Sequence, residues 1–285
     1  MTEQTAATEG GLRGRIRRLL IPANWEGGGT FGKTEAGVLL VTAIGLTVMQ
    51  FGGAERIFIS VFGSTLRADV VLPIGLDPAS AALLFARDHP FYDLYSLCYW
   101  VTFCVIGYVL LPCLFLKFMG LRVRDCNLDF RGFWQHSRVY IALFGLVMVP
   151  VVGVSFTAEY QAIYPFYRLS SRSWFDLVAW ELAYGVQFFA LEFFFRGFLL
   201  QGLRRWIGYG AVFVMVVPYC MIHFQKTGTE SLGAIIAGLV LGSLAMRYRS
   251  IWGGVFLHWG VAISMDVLSL VHRDLLPSAL FPPNF

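Results

Sequence analysis

An acidic and a basic residue lie inside a long apolar stretch of the chain. Glu192 and Arg196 occur in the run LEFFFRGFLL. Because residues four apart share one face of a helix, the two side chains can pair. Charged groups at membrane depth are costly, so they usually face a protein interior and serve a function there. The pair therefore indicates where chemistry is to be expected.

Four more ionisable residues lie in apolar stretches of the C-terminal half: Glu181, His223, His258 and Asp266. Histidines and carboxylates from different helices could supply a general base and hydrogen-bond donors for a developing oxyanion. Two histidines and a carboxylate can also form an open metal site. The residue types therefore allow hydrolysis with or without a metal ion.

Each of these residues also has a structural interpretation. Glu192 and Arg196 could form an ion pair that only neutralises itself in lipid. His223 could be an interhelical hydrogen-bond partner, and His258, beside Trp259, could lie at the membrane interface. Their occurrence together favours a functional role over these separate explanations.

The remaining acidic residues differ in how readily a structural role explains them. Glu181 lies close to the outer end of its predicted span, so we expect it to be solvated. An unpaired aspartate inside a span is expensive, which favours a functional role for Asp266. Glu230 precedes a predicted helix, where a carboxylate suits the positive end of the helix dipole. It is either a capping residue or part of the rim of a site near His223.

The elements that position these residues are predicted to be membrane-spanning helices. The chain has 285 residues, of which 57% are hydrophobic and 14% charged, and its mean hydropathy is +0.64. Soluble domains carry about 25% charged residues. We therefore predict an all-α fold, a polytopic transmembrane helix bundle of about seven to eight spans. The net charge of +4 fits basic cytoplasmic loops, and no nucleic-acid partner is expected.

Apolar stretches of about 20 residues mark the candidate spans. They lie at roughly 35–51, 92–118, 138–157, 175–201, 208–225, 231–247 and 251–271. The region 52–91 leaves room for an eighth span, and within it Pro78–Ala86 could form a short interfacial or re-entrant helix. Residues 1–34 are expected to be a basic leader that could lie at the membrane interface, and residues 35–285 a single membrane domain.

Basic residues fall on one side of an alternating seven-span arrangement. They occur in the leader, between Lys117 and Arg138, at Arg204 and Arg205, and at Arg247 and Arg249. Because basic residues collect in cytoplasmic loops, this pattern predicts a cytoplasmic N-terminus and an external C-terminus.

Missing motifs narrow the chemistry. No HExxH motif and no Gly-x-Ser-x-Gly elbow occurs, which disfavours a zincin-type protease and a serine hydrolase. The five cysteines are scattered and include no CxxC pair, so they are expected to be packing residues rather than a disulfide framework.

Three short motifs follow one another in the C-terminal third. They are Glu192-x-x-x-Arg196, Tyr219-x-x-x-His223 and a late His258-x-x-x-Ala262. In this order, on predicted membrane helices, they resemble the CPBP family, which comprises type II CAAX prenyl endopeptidases and bacterial Abi or bacteriocin-immunity proteins. The resemblance covers about residues 175–271.

The resemblance implies an intramembrane endopeptidase that acts on a membrane-associated protein or peptide substrate in a lipid bilayer. Glu192 would activate water, directly or with Glu230, while Arg196 holds Glu192 in place. His223 and His258 would orient the water or stabilise the oxyanion. The family pattern is compatible with a divalent metal such as zinc, held by Glu192, His223 and His258, and also with a metal-free glutamic mechanism. It further implies an integral protein of a bacterial inner membrane.

Two positions depart from the family pattern. The first of two adjacent glutamates is replaced by Leu191, and an asparagine is replaced by Ala262. Asp266, one helical turn beyond Ala262, could take over the missing polar function as an orienting group. The departures keep a second hypothesis open, a non-catalytic immunity or scaffold protein with the same fold. A proton-coupled transporter that uses the buried ionisable residues as a relay is a third.

Overall fold

The computed structural model describes residues 28–60, 91–224 and 226–282. Helices account for nearly all of the regular structure in these ranges. They are α1 (Lys33–Gly52), α2 (Glu55–Phe58), α3 (Tyr92–Phe118), α4 (Arg131–Val154), α5 (Ala158–Ile163), α6 (Trp174–Ile207), α7 (Gly210–Met221), α8 (Gly228–Tyr248) and α9 (Trp252–His272).

Six of these helices, α1, α3, α4, α6, α8 and α9, are long and apolar enough to cross a membrane, and α7 is a shorter apolar helix. In hydrocarbon every backbone polar group needs an internal partner, which the hydrogen bonds of a helix supply. The predicted all-α polytopic bundle is therefore confirmed. The seven helices coincide with the seven predicted spans, although α4 begins earlier and α7 is shorter than predicted. The predicted helix at Pro78–Ala86 and most of the leader lie outside the described residues.

Three of the long helices contain a π-helical turn, in which the helix is locally wider. These turns are Val48–Gly52 in α1, Ile106–Leu110 in α3 and Phe193–Leu199 in α6. Such turns occur frequently at functional sites. The turn in α6 begins directly after Glu192 and contains Arg196.

The chain divides into two compact units. The first contains the described residues up to Ala43, Pro112–Ser137 and Glu192–Gly254. In this unit α7 packs against α8 through the GxxxG glycines. A Cβ atom built on Gly238 would lie 2.9 Å from Val216 Cγ2, and one on Gly242 would lie 2.8 Å from Met215 Cε. Gly238 and Gly242 form a GxxxG pattern, and such small residues let two helices approach closely.

The second unit contains Ile44–Leu111, Arg138–Leu191 and the described residues from Val255 onward. Its core is rich in aromatic side chains, several of them from α6, which pack with residues of α3 and with Ala262 of α9. The buried members of this cluster are Phe91, Leu94, Val101, Tyr167, Trp180, Tyr184 and Ala262. Stacked aromatic rings supply both apolar area and fixed geometry, so the core holds α6 and α9 in a defined register.

Candidate functional site

Glu192 and Arg196 form the buried ion pair that their spacing predicts. Arg196 Nη1 lies 3.0 Å from Glu192 Oε1, and the two side chains are 0% and 1% exposed. The Arg196 guanidinium also lies over the ring of Tyr219 on α7, with Cζ 4.0 Å from the ring centroid. A desolvated cation over an aromatic face is a favourable contact. Arg196 therefore connects the carboxylate on α6 to α7.

Gly254, near the start of α9, leaves the space that the Glu192 carboxylate occupies. A Cβ atom at this position would lie 2.3 Å from Glu192 Oε2 and 2.6 Å from Glu192 Cδ. Such distances do not occur between real side chains, so any larger residue at Gly254 must displace the carboxylate. Sequence reasoning missed this glycine, because no local pattern shows that it faces Glu192.

The π-helical turn around Arg196 is held by a loop residue. Asn127 Nδ2 donates to the Arg196 carbonyl at 3.2 Å and to the Ala245 carbonyl on α8 at 3.2 Å. A π-turn disturbs the regular i−4 ladder, so a side-chain donor at this carbonyl stabilises the wider turn. Asn127 is buried and has a positive φ of 60°, a conformation that asparagine tolerates better than most residues. This residue was also missed from sequence.

His223 lies just beyond the end of α7 and contacts the same tyrosine as Arg196. Its Nδ1 is 2.8 Å from the Tyr219 carbonyl oxygen, and its ring is edge-on to the Tyr219 ring at 5.0 Å. A carbonyl only accepts, so Nδ1 carries the proton in this bond and, in a neutral ring, Nε2 keeps its lone pair. The half-buried His223 therefore has the tautomer that a proton acceptor at Nε2 requires.

Glu230 lies in the capping geometry at the start of α8. Thr227 is the N-cap, and its Oγ1 accepts from the Glu230 amide at 3.2 Å. The Glu230 carboxylate is 3.3 Å from Lys226 Nζ. Ser231 Oγ of the same turn donates to the His223 carbonyl at 3.0 Å. The capping interpretation of Glu230 agrees with these contacts, and the turn positions the backbone of His223.

His258 lies in the second unit, on α9. Its ring is stacked parallel to the ring of Phe188 on α6, with centroids 5.7 Å apart. One position along, Trp259 Nε1 donates to the Glu181 carbonyl at 2.8 Å. One turn further, Ala262 belongs to the aromatic core. Ala262, which replaces the asparagine of the family pattern, is therefore surrounded by aromatic rings.

Asp266 is fully buried and fixed by two neutral donors. Its Oδ1 accepts from the Phe166 amide at 2.9 Å, and its Oδ2 accepts from Trp180 Nε1 at 3.2 Å. Trp180, the residue before Glu181, thus joins α6 to α9. The expectation that Glu181 is solvated is wrong, since the side chain is only 7% exposed. Packing between α6 and α9 covers this end of the span, which a hydropathy pattern does not show.

Among the described residues, no three His, Cys, Asp or Glu side chains are grouped so that they could hold a metal ion. Zinc coordination by Glu192, His223 and His258 stays a prediction. The loop thiol of Cys126 is an unsuitable ligand as it stands, because burial, with smaller effects of Cys113 and Asp125, raises its pKa to about 12. A thiol must lose its proton to bind a metal, so Cys126 is a packing residue, as the scattered cysteines predict.

One further motif lies at the start of α1. Residues 27–34 read GGGTFGKT, which matches the spacing of a phosphate-binding loop. Such a loop lies between a strand and a helix; α1 follows this one, and the residues before Gly28 lie outside the described part. The Gly32 amide donates to the Glu35 carboxylate at 3.0 Å. One amide of the motif is therefore already bonded within the chain.

The helices and the buried charges define the class of protein. It is an all-helical integral membrane protein with ionisable residues inside its helix bundle. Residues 172–264 match a known family, described as Rce1-like, Type II CAAX prenyl endopeptidase Rce1-like. The matched range contains Glu192, Arg196, His223 and His258, and it confirms the resemblance found in the sequence. This third of the chain therefore has the fold of a CAAX-type intramembrane protease. No curated protein and no solved structure matches the chain significantly.

Proposed function

We propose that this protein is an intramembrane endopeptidase that hydrolyses a peptide bond in a membrane-associated protein substrate. The single observation that carries this proposal is the family match over residues 172–264. That range contains a buried glutamate oriented by an arginine and a histidine whose Nδ1 is committed to a carbonyl. These are the groups that metal-free hydrolysis by an activated water requires.

In the proposed reaction Glu192 takes a proton from a water molecule, whose oxygen attacks the scissile carbonyl carbon. His223 is proposed to orient the water by accepting its second proton in a hydrogen bond at Nε2. His258 is proposed to donate a hydrogen bond to the carbonyl oxygen as it becomes an oxyanion. The C–N bond then breaks, and the proton held by Glu192 passes to the leaving amine. Asp266 is proposed to act only indirectly, by fixing α9, since its own oxygens already accept two hydrogen bonds.

Arg196 is proposed as the positioning residue of this site. It holds Oε1 of Glu192 at 3.0 Å, while Oε2 lies against Gly254. Fixing one oxygen orients the carboxylate, and a well-oriented base needs less reorganisation during the reaction. Glu230 is assigned a capping role in this proposal, because its carboxylate pairs with Lys226.

A second candidate function is a non-catalytic member of the same fold, such as an immunity or scaffold protein. Two observations favour it. Leu191 is a buried apolar residue where the family has a glutamate, and Ala262 is part of the aromatic core. Neither position can donate or accept a side-chain hydrogen bond, so both polar functions of the family pattern are lost there.

Cleavage assays in proteoliposomes separate the two functions. The wild type, Glu192→Gln, His223→Ala and His258→Ala would be incubated with prenylated and unprenylated C-terminal peptides and with membrane proteins of the same cell. We expect each variant to lose about 100-fold or more in cleavage rate, as is usual when a general base or its partner is removed. Glu159→Gln, an exposed glutamate in α5, is the matched control and should cleave like the wild type.

The substrate profiles decide between the functions. If wild type and variants leave identical products, with all proteins folded, the protease proposal is wrong and the non-catalytic function stands. Parallel reactions with a metal chelator test the zinc prediction, since a metal-free mechanism predicts an unchanged rate.

A further inference from the structure

A tryptophan of α9 lies in a notch on the surface of α6, within the second unit. A Cβ atom built on Gly185 would lie 2.7 Å from Trp259 Cε2 and 3.0 Å from Trp259 Cζ2. Side chains do not approach so closely, so the glycine leaves the space that the indole ring occupies. Small residues let helices approach closely in membranes, and here the small residue admits a large ring.

The same indole ring forms a hydrogen bond to the backbone of α6. Trp259 Nε1 donates to the Glu181 carbonyl at 2.8 Å, and Glu181 lies one helical turn before Gly185. A tryptophan that anchors a helix at the membrane interface keeps its polar edge on the wet side. Since this N–H is bonded to a neighbouring helix, Trp259 joins α9 to α6.

The notch and the hydrogen bond together fix α9 in two directions. Rotation of α9 about its own axis would move the indole ring out of the notch at Gly185. Sliding of α9 along α6 would stretch the bond from Trp259 Nε1 to the Glu181 carbonyl. In hydrocarbon no water replaces a lost partner, and a polar group left without one is costly. The contact therefore sets both the rotation and the depth of α9 at this position.

His258 directly precedes Trp259 and contacts the following turn of α6. Its ring is stacked on Phe188 with an angle of 6° between the planes and 5.7 Å between the centroids. Phe188 in turn packs on Tyr184 at 4.4 Å. Stacking sets the plane of a ring but opposes sliding within that plane only weakly, since favourable centroid distances span about 4.5–7 Å. The contacts of Trp259 add a directional attachment beside the stacked imidazole.

We propose that Trp259 is a positioning residue, which is seated at Gly185 and holds His258 at its place on α6. The inference rests on the proposed function, in which His258 donates a hydrogen bond to the developing oxyanion. Such a donor stabilises the oxyanion only from a fixed place, and a displacement of about 1 Å can cost about 100-fold in rate. Trp259 acts through His258 and does not itself need to touch the substrate.

Nuclear magnetic resonance of labelled histidine in the purified protein in detergent tests the position of His258 without relying on cleavage. His258→Gln identifies the His258 ring signal by its loss. Phe188→Leu shows how far stacking shifts that signal, because an aromatic ring shifts the protons that lie over its face. Trp259→Phe loses the N–H, and Gly185→Ala fills the notch. We expect both to move the His258 signal toward its position in Phe188→Leu.

Cleavage is the second measurement. Trp259→Phe and Gly185→Ala should each lower the cleavage rate by about 10- to 100-fold. The double variant should cleave faster than Gly185→Ala, because the smaller phenyl ring needs less of the notch that the added methyl group fills. Two controls should keep the wild-type rate and the wild-type His258 signal. They are Trp134→Phe, at a tryptophan that is 70% exposed, and Gly153→Ala, where no neighbouring atom of the described residues lies within 4 Å of the added Cβ.

The two measurements separate this inference from the proposed function. If the wild type cleaves no substrate, the protease proposal is wrong, and the His258 signal still shows whether Trp259 positions the imidazole. A signal that moves in Phe188→Leu but not in Trp259→Phe or Gly185→Ala overturns the positioning role, and so does a signal that Phe188→Leu leaves unchanged. If Gly185→Ala does not fold, Trp259→Phe decides alone. If Trp259→Phe does not fold, the tryptophan is a residue of the fold only and the inference is wrong.

Discussion

At the scale of single residues, Arg196 has three contacts that explain why a guanidinium can lie in this core. Its side chain pairs with Glu192 and lies over Tyr219, and its carbonyl accepts from Asn127. Removing one partner of a buried ion pair costs about 3–5 kcal/mol, because the other charge is left uncompensated. Arg196 and Glu192 are therefore a structural unit before either takes part in a reaction.

Gly254→Ala should disturb this unit without changing any charge. The added Cβ would lie 2.3 Å from Glu192 Oε2, so the carboxylate must move from its place against Arg196. Overpacking of this kind costs about 1–3 kcal/mol. We expect a lower unfolding midpoint in detergent and a loss of cleavage close to that of Glu192→Gln.

Two matched variants test whether Gly254→Ala acts through Glu192. Gly233→Ala lies in α8, where no neighbouring atom is within 4 Å of an added Cβ, and should be neutral or slightly stabilising. Glu192→Asp has a shorter side chain, so combining it with Gly254→Ala should cost less than the two single changes add up to. Strict additivity would show that Gly254 does not act through Glu192.

The residue pairings that sequence reveals are those within one helix. The spacing of Glu192 and Arg196 predicts their ion pair, because helix geometry alone brings them together. The contact of Gly254 with Glu192 joins two helices, and no periodicity reports it. For the same reason the position of Glu181 near the end of its span suggested solvent, whereas the side chain is buried where α9 packs against α6.

At the scale of elements, the π-helical turn of α6 depends on the loop between α3 and α4. Asn127 donates to carbonyls of α6 and α8, and the Asn127 carbonyl accepts from the Ile251 amide at 2.9 Å. Gly197 lets the loop approach, since a Cβ there would lie 2.8 Å from the Cys126 carbonyl oxygen. The loop thus fixes the turn that presents Arg196.

Asn127→Ala should destabilise the protein for two separable reasons. It removes two side-chain hydrogen bonds, each worth about 0.5–1.5 kcal/mol, although the Ala245 carbonyl keeps the Arg249 amide at 3.1 Å. It also replaces asparagine, which tolerates a φ of 60°, by a residue for which the left-handed conformation costs about 1–2 kcal/mol. Asn127→Gly keeps the backbone conformation and loses only the donors, so its unfolding midpoint should lie between those of the wild type and Asn127→Ala. Equal midpoints for wild type and Asn127→Gly would mean that the side-chain amide is not needed.

Hydropathy predicts where the helices lie along the chain, but it does not predict the local geometry within a helix. The apolar stretches locate the six described helices that are long and apolar enough to cross a membrane, and also the shorter apolar helix α7. A π-turn leaves the composition unchanged, so none of the three was predicted. The predicted span 208–225 contains a helix of only 12 residues. Gly208, with a positive φ of 55°, separates it from α6, and the chain turns again after Met221.

At the scale of the whole molecule, hydrogen bonds in the first unit join the four basic segments at one end. The Gly29 amide, near the end of the leader, donates to the Arg205 carbonyl at 3.0 Å. Arg249 Nη1 donates to Gln201 Oε1 at 2.9 Å, and Asn127 bonds both α6 and α8. The alternation of basic loops in the sequence predicted this grouping, because such residues collect on the cytoplasmic side of a membrane.

This grouping decides whether α7 crosses the membrane. With 12 residues, α7 is about 18 Å long, shorter than a hydrocarbon core of about 30 Å. Length alone would therefore leave six crossings. However, α6 and α8 both end at the basic end of the unit, so the chain between them must return through α7 to the opposite end. We therefore predict that α7 completes a seventh crossing beside the six longer helices of the described residues, and that the two termini lie on opposite sides of the membrane.

Reporter fusions test this topology. Alkaline phosphatase fused after Phe285 should be active, because that enzyme folds only outside the cytoplasm, and a green fluorescent protein in the same place should stay dark. Fusions after Arg249, between α8 and α9, should give the opposite pair of signals, since Arg249 lies among the basic segments. A fluorescent fusion after Phe285 would require an even number of crossings. In that case α7 would enter and leave the membrane on the same face. The chain from the end of α6 to the start of α8 would then pass through the protein and would not cross the bilayer.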